Sequence, residues 1–104
     1  MVEYKVTVSQ QAAEMLVKKA AFLARVSPSA AERLIAGFEK SAKSLEYMPA
    51  RCPYFNAEYI PENKYRYIIF EKRYFALFQI NGDSVYIGYV PDAREDYKRF
   101  LHIS

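Results

Sequence analysis

An α+β domain is what this sequence predicts, on three observations. A β-prone stretch opens it at Tyr4-Lys5-Val6-Thr7-Val8. Two helix-periodic stretches follow, each behind a capping serine. Three runs rich in aromatic and β-branched residues then lie between Tyr65 and Val90. The predicted architecture is an N-terminal strand, an antiparallel helix hairpin, and a three-stranded antiparallel meander forming one sheet.

Tyr4 to Val8 alternates as a strand does, and Ser9 is placed to accept from a free N–H of the next helix. Gln10 to Arg25 has Ala13, Leu16, Ala20 and Leu23 at helical spacing, with Lys18, Lys19 and Arg25 toward the end that favours cations. Ser27-Pro28 restarts a helix, because proline at the first helical position has no N–H to waste. Ala31, Leu34, Ile35, Phe38, Ala42 and Leu45 then form one apolar stripe, and Pro49 bounds the helix. Gly37 weakens that helix slightly and permits a neighbour's close approach. Met48 to Asn63, with Pro49, Pro53 and Pro61, reads as an ordered connection carrying a short extended piece at Ala57-Glu58-Tyr59-Ile60.

The meander runs Tyr65–Phe70, Tyr74–Ile80 and Ser84–Val90, its second turn at Asn81-Gly82-Asp83, where Asn and Gly accept positive φ. In its middle strand Tyr74, Ala76, Phe78 and Ile80 share one side, and Phe75, Leu77 and Gln79 the other. Neither set is polar, so the pattern does not choose the helix-facing side. The face away from the helices is expected to be free and to gather guanidinium groups beside a phenol. After Pro91 a charged tail has helical composition from Ala93 to Leu101.

At 104 residues the chain is expected to be one domain, 1–104. Apolar residues make up 52%, enough for a core, and ten tyrosines and seven phenylalanines suit a small sheet under helices. The net charge of +3 is compatible with a nucleic-acid surface without requiring one. One cysteine, Cys52, rules out a disulfide framework within the chain and suits a reducing cytoplasm. No apolar signal segment or membrane-length run is present, so no membrane association is expected.

No metal and no cofactor are expected, because His102 and Cys52 are single and phosphate-binding glycine motifs are missing. The remaining chemistry is basic and phenolic: Lys64, Arg66, Lys72, Arg73, Arg94, Tyr97, Lys98 and Arg99. Arginine holds phosphate through a fixed fork of donors, a cation stabilises charge developing on phosphorus, and a tyrosine beside it can move a proton. Together these types can cleave RNA through its own 2′-hydroxyl. Exposed arginines and lysines at strand ends also serve as ordinary solubilising residues, and that reading stands beside the chemical one.

The order of elements, and the ending Tyr86-Ile87-Gly88-Tyr89-Val90-Pro91-Asp92-Ala93-Arg94-Glu95-Asp96-Tyr97, resembles the RelE/ParE toxin superfamily. So do the Tyr65-Arg66 strand with its partner through Ile80, the opening Tyr4 to Ser9, and the helix start Ser27 to Leu34. The resemblance implies the toxin of a bacterial type II toxin–antitoxin pair, acting in growth arrest and plasmid stabilisation and held inactive by an antitoxin segment wrapped over it. RelE-like members cut messenger RNA on the ribosome without metal; ParE-like members inhibit DNA gyrase. On the first branch, Arg94 would bind or stabilise phosphate, Tyr97 would assist proton transfer, and Lys64, Arg66, Arg73 and Lys98 would hold RNA. The sequence departs from the RNA-cleaving pattern in the middle strand, where Phe75 and Ala76 stand in place of a cation. Whether the chain is an enzyme is therefore open between the two branches, with an inactive interaction domain as a third.

Overall fold

The opening strand β1 (Lys5–Val8) runs straight into α1 (Gln10–Ala24) through Ser9, as the cap predicts. In this computed structural model, which describes residues 2–58 and 60–92, Ser9 Oγ accepts from Ala12 N at 2.9 Å. The same hydroxyl donates to Gly88 O at 2.9 Å, and Ser9 N donates to Ile87 O at 2.8 Å. One buried serine thus ties the first helix to a strand that follows it by most of the chain. Removing such a cap costs about 1 kcal/mol in general.

Helix α2 (Pro28–Ser44) starts on Ser27, whose Oγ accepts from Ala30 N. Its stripe buries Leu34 and Phe38 against the sheet. The helix ends short of Pro49, because Leu45, Glu46 and Tyr47 donate to carbonyls three residues back and tighten the last turn. The short Arg25–Ser27 connection makes α1 and α2 an antiparallel pair in contact. Gly37 makes the expected room: a Cβ there would lie 3.1 Å from Glu71 Cγ.

The meander comprises β2 (Arg66–Phe70), β3 (Tyr74–Asn81) and β4 (Ser84–Tyr89). The turn between β3 and β4 is the two residues Gly82 and Asp83. Gly82 takes φ +61, the requirement of a hairpin whose first central residue is glycine. The sheet order is β1-β4-β3-β2, with β1 parallel to β4 and the other pairs antiparallel. A register shift at Leu77/Phe78 skips Gly88, which turns its carbonyl toward Ser9.

Two expectations are corrected. The sheet face away from the helices is not free: Phe55, Ala57 and Ile60 fold over Tyr65, Tyr67, Phe75, Leu77 and Tyr89 as a second apolar cluster. Leu77 is fully buried there, and a strand apolar on both sides needs cover on both. The extended piece at 57–60 is instead a turn, closed by Ile60 N donating to Ala57 O at 3.1 Å; Tyr59 lies outside the described residues. The chain does pair with β2 a little earlier, where Phe55 N donates to Tyr65 O and Tyr67 N to Pro53 O. The helical composition of 93–101 also falls outside the described residues.

Candidate functional site

The cations singled out from the sequence separate into different environments. Arg66 pairs across the sheet with Phe78, which belongs to the helix-side core. Direct neighbours on paired strands point the same way, so Arg66 lies on the helix side and not on the opposite face where guanidinium groups were expected. Its Nη1 donates to Cys52 O at 2.6 Å and Ala50 O at 3.2 Å, and its Nη2 to Tyr54 Oη at 2.9 Å. The guanidinium also sits 4.0 Å from the Tyr54 ring centroid, a cation–π contact. Arg51 complements it, donating to Ser44, Tyr47 and Met48 carbonyls. Two planar forks thereby fasten the connection after α2, which includes the short 3-10 turn Pro49–Arg51 and Met48 at φ +48.

Cys52 is buried under this clasp. Burial pushes its thiol above the ordinary value, and the charges of Arg51 and Arg66 offset part of that rise. Thiolate chemistry is accordingly disfavoured.

Arg73 is held differently. It is partly exposed, with Nε 3.9 Å from Asp92 Oδ2 and its guanidinium 5.3 Å from the Tyr74 ring centroid. It ends a turn in which Glu71 (φ +48) and Lys72 (φ +71) both take the left-handed region without being glycine. Lys64 stands 5.4 Å from the Tyr65 ring centroid. Arg94, Tyr97 and Lys98 lie outside the described residues, so the structure does not bring the predicted set together or separate it. Among the described residues no group of His, Cys, Asp and Glu is placed to hold a metal ion. Nor is any described helix long and apolar enough to cross a membrane.

Sequence reasoning missed a cleft of about 260 Å³ between α1 and the sheet, lined by Ser9, Gln10, Gln11, Tyr65, Gln79, Tyr86, Gly88 and Tyr89. Its signal was present in the alternation: Gln79 and Tyr86 face each other across β3 and β4. The pairing of Tyr65 with Tyr89 was not readable, because it depends on the Gly88 bulge.

Residues 6–97 match the family model described as "ParE toxin of type II toxin-antitoxin system, parDE". The chain belongs to the ParE toxin family. Its fold agrees: a solved structure described as "Chromosomal ParDE TA system from P. aeruginosa" superposes with a TM-score of 0.71. That match covers 90% of this chain and 100% of the other at 16% identity, which is evidence of shared fold. A search of curated proteins found no match. As a ParE-family chain it is the toxin of a type II toxin–antitoxin system, and that membership implies an antitoxin partner.

Two tyrosines of the cleft give this ParE fold a pH signature at high pH. Tyr65 and Tyr89 meet edge to face with centroids 5.9 Å apart and share a hydroxyl hydrogen bond. Burial raises the phenol pKa of both, and in Tyr89 the neighbouring Tyr65 raises it further. The unfolded chain releases these protons near the ordinary value of about 10, while the folded chain retains them. The contribution of this pair to stability is therefore level below about pH 10 and falls above it, because the unfolded state then binds fewer protons, and the raised Cys52 thiol and Tyr47 phenol add losses of the same sign. Urea midpoints measured up to about pH 11 should fall in the wild type and fall less steeply in Tyr65→Phe.

Proposed function

We propose that this toxin arrests growth by binding DNA gyrase without chemistry of its own, the ParE-like branch. The observation that carries the reading is the use of Arg66. The guanidinium in the Tyr-Arg strand, where an RNA-cleaving toxin would present a cation to phosphate, donates to two backbone carbonyls and a tyrosine of its own fold. The middle strand supports the reading, since Ala76, Leu77 and Phe78 are buried and Phe75 is packed under the 53–65 connection. We take residues 1–104 as a single toxin domain acting in the cytoplasm, where gyrase and its DNA reside, with plasmid stabilisation as the selected outcome.

The test is a supercoiling assay with the purified chain. Gyrase should lose activity at stoichiometric excess of toxin, and the co-expressed antitoxin should restore it. Unaffected gyrase at large excess sinks the reading. Primer extension on messenger RNA after induction tests the other branch. Codon-linked cuts that vanish in Arg94→Ala would assign Arg94 to phosphate and Tyr97 to proton transfer. Lys64, Arg73 and Lys98 would then be the RNA contacts, with Arg66 acting through the loop it holds.

A further inference from the structure

The tyrosine cleft between α1 and the sheet is preformed, and its lining is polar and aromatic. Ser9 sets the spacing of its walls: its Oγ donates to Gly88 O at 2.9 Å, and its N donates to Ile87 O at 2.8 Å. Gln11 stands on the helix wall, and Gln79 and Tyr86 face each other on the sheet wall. Tyr65 and Tyr89 complete the lining, edge to face in the apolar cluster around Leu77. Gly88 leaves room beside it. Apart from its chain neighbours, the described atom that a Cβ there would meet is Tyr86 Cε2, at 4.0 Å. No charged side chain is among the described lining residues, and Lys64, 5.4 Å from the Tyr65 ring centroid, stands outside them.

These residue types recognise a flat, uncharged ring. Tyr86 is 49% exposed, so a ring face is open to stacking. A glutamine amide holds a donor beside an acceptor in one plane, which matches the amino group and ring nitrogen along an adenine edge. Gln79 is exposed next to Tyr86, so one base can meet both. A nucleic-acid strand brings a phosphate with every base and is held through cations, which this lining does not offer; a lone nucleoside brings none. The volume of about 260 Å³ lies just under the general range of about 300–1,000 Å³ for ligand pockets, which suits a ligand of that size.

We propose that this cleft is a small-molecule site for a free, uncharged adenine nucleoside, its ring stacked on Tyr86 and its edge read by the Gln79 amide. The proposal is independent of the gyrase reading, since binding is measured without gyrase. A ligand that spans α1 and the sheet binds the folded chain and not the unfolded one, so it also raises the melting temperature.

The experiment titrates adenosine into the full-length toxin by isothermal calorimetry, with thermal melting alongside. Adenosine should bind one to one and raise the melting temperature, and adenosine 5′-monophosphate should bind no tighter. Tyr86→Ala should weaken binding about tenfold by loss of stacking. Purine riboside, which keeps the ring and lacks the amino group, should bind about fivefold more weakly than adenosine, and Gln79→Leu should erase that difference. Gly88→Ala should weaken binding about threefold by placing a methyl group in the space. Tyr47→Ala, which removes an exposed tyrosine elsewhere, should leave it within about twofold. Circular dichroism confirms that each variant is folded; Tyr86, Gln79 and Tyr47 are exposed, so the test stands without the Gly88 variant. Three results overturn the proposal. One is neither heat nor a melting shift with millimolar adenosine. Another is binding indifferent to Tyr86→Ala. The third is tighter binding of a short oligodeoxyadenylate than of adenosine, which would mark a nucleic-acid surface.

Discussion

Phe78→Ala should cost about 3–5 kcal/mol, the general range for truncating a fully buried phenylalanine. Phe78 has 0% exposure and sits in the middle of β3, between Arg66 on β2 and Ile87 on β4. Its ring belongs to the cluster that joins Leu16 of α1 and Leu34 and Phe38 of α2 to the sheet, so its loss opens a void in the shared core of helices and sheet. The cavity cannot collapse easily, because its walls are a hydrogen-bonded ladder and two helices capped at their N-termini. A domain of this size has a total stability of about 5–15 kcal/mol, so the variant loses a large share of it. Urea denaturation should show a lower midpoint with an unchanged slope. Phe78→Leu, which keeps most of the volume, should cost under about 2 kcal/mol. Equal losses in the two variants would contradict the packing described.

Arg66→Ala comes second, at about 2–3 kcal/mol, from hydrogen bonds by a charged donor and the stacking on Tyr54. The carbonyls of Ala50 and Cys52 lose their donor together, and the Tyr54 ring loses its cover. Arg66→Lys should recover less than half, because a compact ammonium cannot span two carbonyls and a hydroxyl in one plane. Thermal melting gives the size of the effect, and thiol labelling of Cys52 its location. In both variants the cysteine should label faster than in the wild type, since the clasp no longer holds the segment above it. Wild-type stability in Arg66→Ala would restore this residue to the set available for nucleic acid.

These two residues also mark what could be read from the sequence. Phe78 was readable as one of an alternating apolar set, although the pattern offered Phe75 and Leu77 as an equal alternative. Both sides of the strand proved covered, one by helices and one by the 53–65 connection, which buries Leu77 and half-buries Phe75 through Phe55 and Ile60 folding back. The caps at Ser9 and Ser27, the proline start of α2 and the Gly82 turn were legible because each is decided by a few neighbouring residues. Arg66 was legible only as a cation in a strand. A guanidinium aimed at phosphate and one aimed at carbonyls of its own loop look alike in sequence, and the difference lies in contacts formed across 12 to 16 positions. The tyrosine cleft was hidden for the same reason. Of the predicted catalytic pair, Arg94 and Tyr97, recognition rested on the order of short motifs rather than on geometry.

The parallel pairing of Lys5–Val8 with Ser84–Ile87 has a consequence for how the molecule is made. A ribosome delivers β1 first and, among the described residues, its one sheet neighbour β4 after both helices and the other two strands, so the early segment waits unpaired while these emerge. Vectorial synthesis thus leaves β1 without its place in the sheet until β4 has been made, although β2 and β3 can pair before then.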